Sequence, residues 1–477
     1  MREPRQGPDG GRGAVPSRRW LLGLSASLLA SALLTTGCGR ASRACEGCNV
    51  VLVSIDTLRA DRLGVYGAGR PTSPQIDAFA QRAVVFDNAI AQAPTTLPSH
   101  MSILTGLYPR GHGVVDPRMR LSDETVTLAG ALRRYGYRTA AFTGGGYVRP
   151  AFNYHGFDRF EHSAFDDVDR SSERVLFEEM IAWLEEGVTP FFLFWHTYRV
   201  HSPYLPAAEF DRFAAEGYSG PVELDPRTPS AACAGRDPRC GSKGRFYFDY
   251  LIDQMGPADI RYVLDKYDGE ILSVSSTFAR LLEALERSGV RDDTVVVVAS
   301  DHGESFGDRP RDRRVGHGLL YQEIVRVPLI VHLPGMARQQ RVSGLVENVD
   351  IMPTLLALVG APVPEGLDGR DLFAGGREVR TRGHALTEYP ARGMRAVVLE
   401  RFKVIETRSD EGVRFEIYDL EEDPGELRDL FGTGHPLEST LLALLESTGG
   451  DPGLSPAEGV ELDDDVLRDL RALGYVN

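Results

Sequence analysis

Asn49-Val50-Val51-Leu52-Val53-Ser54-Ile55 runs directly into Asp56. The run is apolar almost throughout and rich in β-branched residues, which suits a strand buried on both faces of a parallel sheet. Thr294–Ser300 repeats the pattern, Pro328–Leu333 does so less strictly, and Phe191–Trp195 is a short aromatic version. Between these runs lie stretches with apolar residues at helical spacing: Ser73–Arg82, Val126–Arg134, Arg170–Glu186 and Tyr267–Ser288. In the last, Ile271, Val274, Phe278, Leu281, Leu282 and Leu285 share one face, which predicts packing against the core. Strands alternating with helices predict an α/β fold, a doubly wound and mostly parallel sheet flanked by helices.

Beyond about residue 373 the pattern changes to short strands (Ala396–Leu399, Lys403–Glu406, Phe415–Asp419) and a final helix. This predicts three parts: residues 1–38 as a signal peptide, 49–372 as the main domain and 373–477 as a small α+β C-terminal domain. Residues 216–245, rich in Gly, Pro, Ser and Arg, read as a loop insertion that lines the pocket. The 477-residue chain is 42% hydrophobic and carries a net charge of −15. Such acidity excludes an indiscriminate nucleic-acid platform, which needs a basic footprint. Lysine is scarce, confined to Lys243, Lys266 and Lys403.

The head of the chain runs against the overall charge, with six arginines and two acids in residues 1–40. Arg18-Arg19, an apolar stretch from Trp20 to Leu34 and then Gly37-Cys38 read as a twin-arginine-like export signal with lipidation at Cys38. An ordinary signal peptide is the plainer alternative. Either way the chain is expected outside the cytoplasm, as a periplasmic or outer-membrane-anchored bacterial lipoprotein that meets membrane only through its anchor. The other cysteines can pair as Cys45–Cys48 and Cys233–Cys240, as suits an exported protein; zinc binding is the rival reading.

Asp56, His196 and Asp301-His302 each follow a predicted strand. Open α/β sheets bind ligands outside the carboxyl ends of their strands. Two carboxylates and an imidazole gathered there suit a divalent cation.

Thr96-Leu97-Pro98-Ser99-His100-Met101-Ser102-Ile103-Leu104-Thr105-Gly106 resembles the sulfatase signature of the alkaline phosphatase superfamily. Ser54–Asp61, His201-Ser202-Pro203-Tyr204, Ser300–Glu304, Arg326–Ile330, Asp350–Leu356 and Tyr418–Glu426 resemble further family segments, in order, over roughly residues 49–475. The resemblance implies one divalent cation, Ca²⁺ or Mn²⁺ with Zn²⁺ as a third choice, held by Asp56, Thr96, Asp301 and His302. It implies a catalytic group of Thr96, His100, His201 and His317. His112, His196, Arg199 and Glu304 are expected around that group or against substrate, with Glu304 orienting His302 or the metal segment, and with Arg199, His201 and His317 standing in for a second cation.

Three departures narrow the chemistry. Sulfatases oxidise a signature Cys or Ser to formylglycine. Thr96 carries a methyl on its β-carbon and cannot give that aldehyde, so an unmodified hydroxyl nucleophile is expected. His100 and His317 stand where the family has arginine and lysine. A carboxylate that two-metal members carry before the His201 segment is replaced by Arg199-Val200. The resemblance therefore implies hydrolysis of an anionic ester through Thr96, whether a sulfate ester, a phosphate mono- or diester or a phosphonate, on a small molecule, glycan or lipid headgroup. A phosphoglycerol- or phosphoethanolamine-type transferase and a non-catalytic envelope-binding lipoprotein are the alternatives.

Overall fold

The computed structural model describes residues 45–163, 171–215, 217–230, 233–235, 240, 245–309, 313–374, 379–448, 458–459, 464 and 467. The export head and Cys38 lie outside the described residues. Eight strands build the main sheet: β1 (Asn49–Ile55), β2 (Val84–Ile90), β3 (Arg138–Gly144), β4 (Arg159–Ser163), β5 (Phe191–Thr197), β6 (Thr294–Ala299), β7 (Arg326–His332) and β8 (Gln340–Glu347). Their order is β8-β2-β7-β6-β1-β5-β3-β4. Only β7 runs against its neighbours, β6 and β2. The remaining pairings are parallel.

The continuous apolar run of β1 has a direct physical reason. Val50 and Leu52 point into one core, with Leu97, Met101, Leu128 and Leu355. Val51, Val53 and Ile55 point into the other, with Ile76, Phe177, Phe278 and Leu281. Helices Thr96–Thr105, Leu128–Arg134 and Ile351–Val359 thus cover one face, while Pro74–Ala80, Ser171–Glu185 and Pro257–Arg287 cover the other. Each fully buried Val or Leu contributes roughly 1.5–3 kcal/mol of apolar transfer energy.

The last helix begins ten residues before the expected Tyr267. Gly256 precedes it, Pro257 opens it, and Asp259 accepts from the Gly256 N–H at 2.7 Å. A second, antiparallel sheet follows: β9 (Ala385–Tyr389), β10 (Met394–Val398), β11 (Phe402–Ser409) and β12 (Gly412–Asp419). One of its faces packs on helix Glu438–Thr448 through Val397, Val404, Leu441 and Leu445. The other meets the main sheet through Ile405, Tyr418, Ile324 and Leu345. Cys45–Cys48 and Cys233–Cys240 are disulfides, with Cα separations of 5.4 and 5.5 Å. Among the described residues no helix is long and apolar enough to cross a membrane.

Candidate functional site

β1 and β6 are parallel neighbours, with Ser54 opposite Ala299, so they end at the same edge of the sheet. Asp56 leaves β1 there and Asp301-His302 leaves β6. All three are fully buried, and a carboxylate oxygen or ring nitrogen from each lies within 4.8 Å of the others. The turn beyond β1 is tight: Thr57 sits at φ 55°, an uncommon left-handed conformation for a β-branched residue. That turn aims the Thr57 N–H at Asp301 Oδ1 (3.3 Å) and the Leu58 N–H at Ser300 Oγ (3.0 Å). Beyond β6, Gly303 donates to the Ile324 carbonyl at 2.7 Å, and a Cβ on it would collide with the Glu323 carbonyl. Both metal-type segments are therefore pinned by backbone.

The donor set fits a hard divalent cation. Asp56 Oδ1 and Asp301 Oδ2 are buried without hydrogen-bond partners. The His302 Nδ1–H donates to the Gly303 carbonyl at 2.9 Å, which leaves Nε2 with the lone pair a ligand needs. Burial pushes the Asp56 pKa up to about 7, with His302 offsetting only part of the rise. Burial, then Asp56, raise Asp301. Burial opposes the His302 imidazolium, but Asp301 and Asp56 outweigh it and hold its pKa above the usual value. Unpaired acids inside a protein are costly, and a bound cation removes that cost.

Thr96 opens helix Thr96–Thr105. Its hydroxyl lies 3.5 Å from Asp56 Oδ2 and 3.2 Å from His302 Nε2. His100, one turn on, donates from Nδ1 to the Thr96 carbonyl at 2.9 Å, while its Nε2 accepts from Ser54 Oγ at 2.9 Å. It thus braces the first turn of the Thr96 helix from beneath. The His196 Nε2–H donates to Asp56 Oδ2 at 3.2 Å. Burial lowers His100 and His201 to about 3 and His196 to about 4, so all three stay neutral at ordinary pH.

Thr95 and Leu97, the neighbours of Thr96, line a cavity of about 360 Å³ together with Tyr147, His201, Glu304 and His317. The His317 Nδ1–H donates to Glu304 Oε1 at 3.0 Å, and its ring centre lies 4.4 Å from that of His302. The His201 ring is 5.5 Å from that of His317 and stacks on Tyr198 at 4.2 Å.

Four expectations change. Glu304 engages His317 and Tyr204 rather than His302, because the hairpin Ser305–Phe306/Val315–Gly316 folds His317 back across it. Arg199 is held between Glu173 (3.4 Å) and Glu270 (3.9 Å), two acids that compensate its charge. His112 bonds Ser102 Oγ and the Val114 N–H, not the acid cluster. Among the described residues, the 216–245 insertion contributes none of the cavity lining; Phe248, just past it, and Tyr389, Arg392 and Met394 of the second sheet do. Tyr204 is a site residue that sequence reasoning left unassigned within the His201-Ser202-Pro203-Tyr204 segment.

Fold and site together define an α/β protein with a hydroxyl at a helix start, set over a cluster of acids and imidazoles. A family model described as Sulfatase matches residues 48–361. A second, described as N-sulphoglucosamine sulphohydrolase, C-terminal, matches residues 312–446. The chain belongs to the sulfatase family of the alkaline phosphatase superfamily. It is 24% identical to an ulvan-active sulfatase of Formosa agariphila over 68% of its own length and 64% of that relative's, so it spans less than two thirds of that protein. It is 25% identical to an arylsulfatase of Clostridium perfringens, over 81% of this chain and 90% of the relative. The fold is also that of the phosphonate monoester hydrolase of Agrobacterium radiobacter, with a TM-score of 0.66, 22% identity and coverage of 84% of this chain and 94% of that one.

Proposed function

We propose that this protein is a cation-dependent hydrolase of sulfate esters, phosphodiesters or phosphonate monoesters that works through unmodified Thr96. The observation that carries this reading is the Thr96 hydroxyl, placed 3.2–3.5 Å from His302 and Asp56 at the first turn of a helix. A helix N-terminus favours the anionic group that would be transferred. Asp56, Asp301 and His302, with Thr96, would hold one Ca²⁺, Mn²⁺ or Zn²⁺. When bound, the cation supplies Lewis-acid stabilisation of charge on a transferred oxygen and on the attacking one. Thr96 Oγ1 passes its proton to Asp56 Oδ2 and attacks sulfur or phosphorus in line. His317 protonates the leaving oxygen, and His201 lines the same side of the cavity. Water then releases the group from Thr96.

Three buried carboxylates, Asp56, Asp301 and Glu304, repel a doubly charged phosphate monoester more than a singly charged group. This favours sulfate esters, phosphodiesters and phosphonate monoesters. Tyr147, Phe248, Tyr389 and Arg392 give the leaving-group side of the cavity both ring faces and a positive charge, which suits a saccharide or aryl alcohol. The same proposal places the protein outside the cytoplasm, on the strength of Arg18-Arg19, Cys38 and two disulfides. It takes residues 49–372 as the catalytic part and 373–477 as a smaller part that closes the cavity. Rapid quenching of cation-loaded enzyme with an aryl ester, followed by peptide mass analysis, should find the transferred group on the peptide containing Thr96. Undiminished turnover by Thr96→Ala would refute the proposal.

A further inference from the structure

We infer that Glu304 and Tyr204 are positioning residues that act through His317, fixing its Nδ1–H so that Nε2 exchanges the proton of the leaving oxygen. The inference rests on the ester-hydrolase reading above. Glu304 is 1% exposed, and both of its oxygens are engaged by ring-bearing side chains. Oε2 accepts from the Tyr204 hydroxyl at 2.9 Å, and Oε1 accepts from His317 Nδ1–H at 3.0 Å. Tyr204 is fully buried, edge-on to Tyr267 (5.7 Å) and tilted against Phe306 (5.6 Å), so it holds the carboxylate in one orientation.

The backbone supplies the other constraint. Ser305 pairs with Gly316 in a short antiparallel hairpin, so Glu304 and His317 leave opposite strands side by side. The result is a hydroxyl–carboxylate–imidazole chain that ends in the cavity, beside His302 and hence beside the nucleophile. His201 also lines the cavity and lies in the field of Glu304, but its Nδ1–H bonds the neighbouring Ser202 carbonyl, whereas the His317 Nδ1–H bonds the carboxylate itself. A carboxylate behind an imidazole fixes its tautomer and stabilises the imidazolium. Of the two cavity histidines, His317 is therefore the proton carrier.

The proton accounting closes. As Thr96 Oγ1 bonds to sulfur or phosphorus, its proton goes to Asp56 Oδ2. The bond to the leaving oxygen breaks with its electron pair on that oxygen, which takes the proton from His317 Nε2. In the second half, water attacks the Thr96 adduct and gives a proton to His317 Nε2. Thr96 Oγ1 departs and recovers its proton from Asp56. His317 keeps its Nδ1–H on Glu304 throughout.

The test uses full-length, cation-loaded enzyme and a series of esters with leaving groups from nitrophenol to simple alcohols. Glu304→Gln and Tyr204→Phe should lower kcat progressively more as the leaving alcohol becomes more basic. For alkyl esters the loss should approach the roughly 10²-fold contribution of a general acid. His317→Gln should show the same dependence, and Glu304→Gln should add little in that background. Proton NMR of ring-labelled histidine should show a downfield His317 Nδ1–H signal that vanishes in His317→Gln and shifts in Glu304→Gln. A loss equal across all leaving groups, additive losses in the double variant, or an unmoved ring-proton signal would overturn the inference. Retained turnover in Thr96→Ala would instead overturn the hydrolase reading beneath it; the ring-proton result then decides the orientation of His317 independently.

Discussion

Two of the buried acid clusters among the described residues are built on opposite plans. Around Glu347 and Asp350, every charge is answered. Arg382 reaches both carboxylates, and the Tyr108 hydroxyl and the backbone N–H groups of Leu386 and Arg370 supply further donors. Around Asp56 and Asp301, one oxygen of each carboxylate has no hydrogen-bond partner among the described residues, and the neighbouring groups are imidazoles. The first cluster ties the turn after helix Thr96–Thr105 to β8 and β9. The second leaves buried negative charge that the proposed cation would compensate. Burial alone does not mark function; burial without compensation does.

The largest effect that sharpens this contrast is catalytic. Thr96→Ala and Asp301→Asn should each lower turnover by about 10³-fold or more, close to 4 kcal/mol of barrier. Asp301→Asn should leave the cation-free protein as stable as before, or more so, in thermal melts. Next comes the saturated cluster: Arg382→Ala strands two buried carboxylates and should cost about 3–5 kcal/mol of stability. Equal destabilisation by both variants in denaturant titrations would break the contrast. Gly303→Ala forces the backbone away from Glu323 and should cost about 1–3 kcal/mol, with weakened cation affinity by calorimetry.

The smallest effect is on pH dependence. Asp56 ionises near 7 in the fold but near 3.8 when unfolded, so the folded state binds more protons between those values. The cation-free protein should therefore lose stability as pH rises from about 4 to about 7, by a few degrees in melting temperature. Saturating cation should remove the Asp56 part of that slope and leave the part due to Glu347, which burial also raises to about 7.

What the sequence revealed follows from which strands are central. β1 and β6 sit mid-sheet with both faces buried, so their apolar runs are unbroken. β2 contains Asp87-Asn88, β3 opens on Arg138-Thr139, and β4 is an edge strand with Glu161 and His162; each lacks the continuous run and passes unnoticed. The front of helix Pro257–Arg287 carries Asp259, Arg261, Asp265 and Lys266, which mask its periodicity. At the site, residues that follow strands were legible because topology alone brings them together. The partners of Arg199 and Glu304 were not. They depend on Glu173, Glu270 and Tyr204, whose approach is set by packing between distant elements.

The bond from the Thr57 N–H to Asp301 joins residues 244 positions apart in the chain. Closing so long a loop carries an entropic cost that must be met before β1 and β6 can pair. The Asp56–Asp301–His302 group is therefore incomplete until the chain has been made and folded back as far as Asp301. During refolding, helical signals should precede the capacity to take up a cation. On the proposed cation site, uptake would be a late clock for this chain, recording the moment β1 and β6 have found each other.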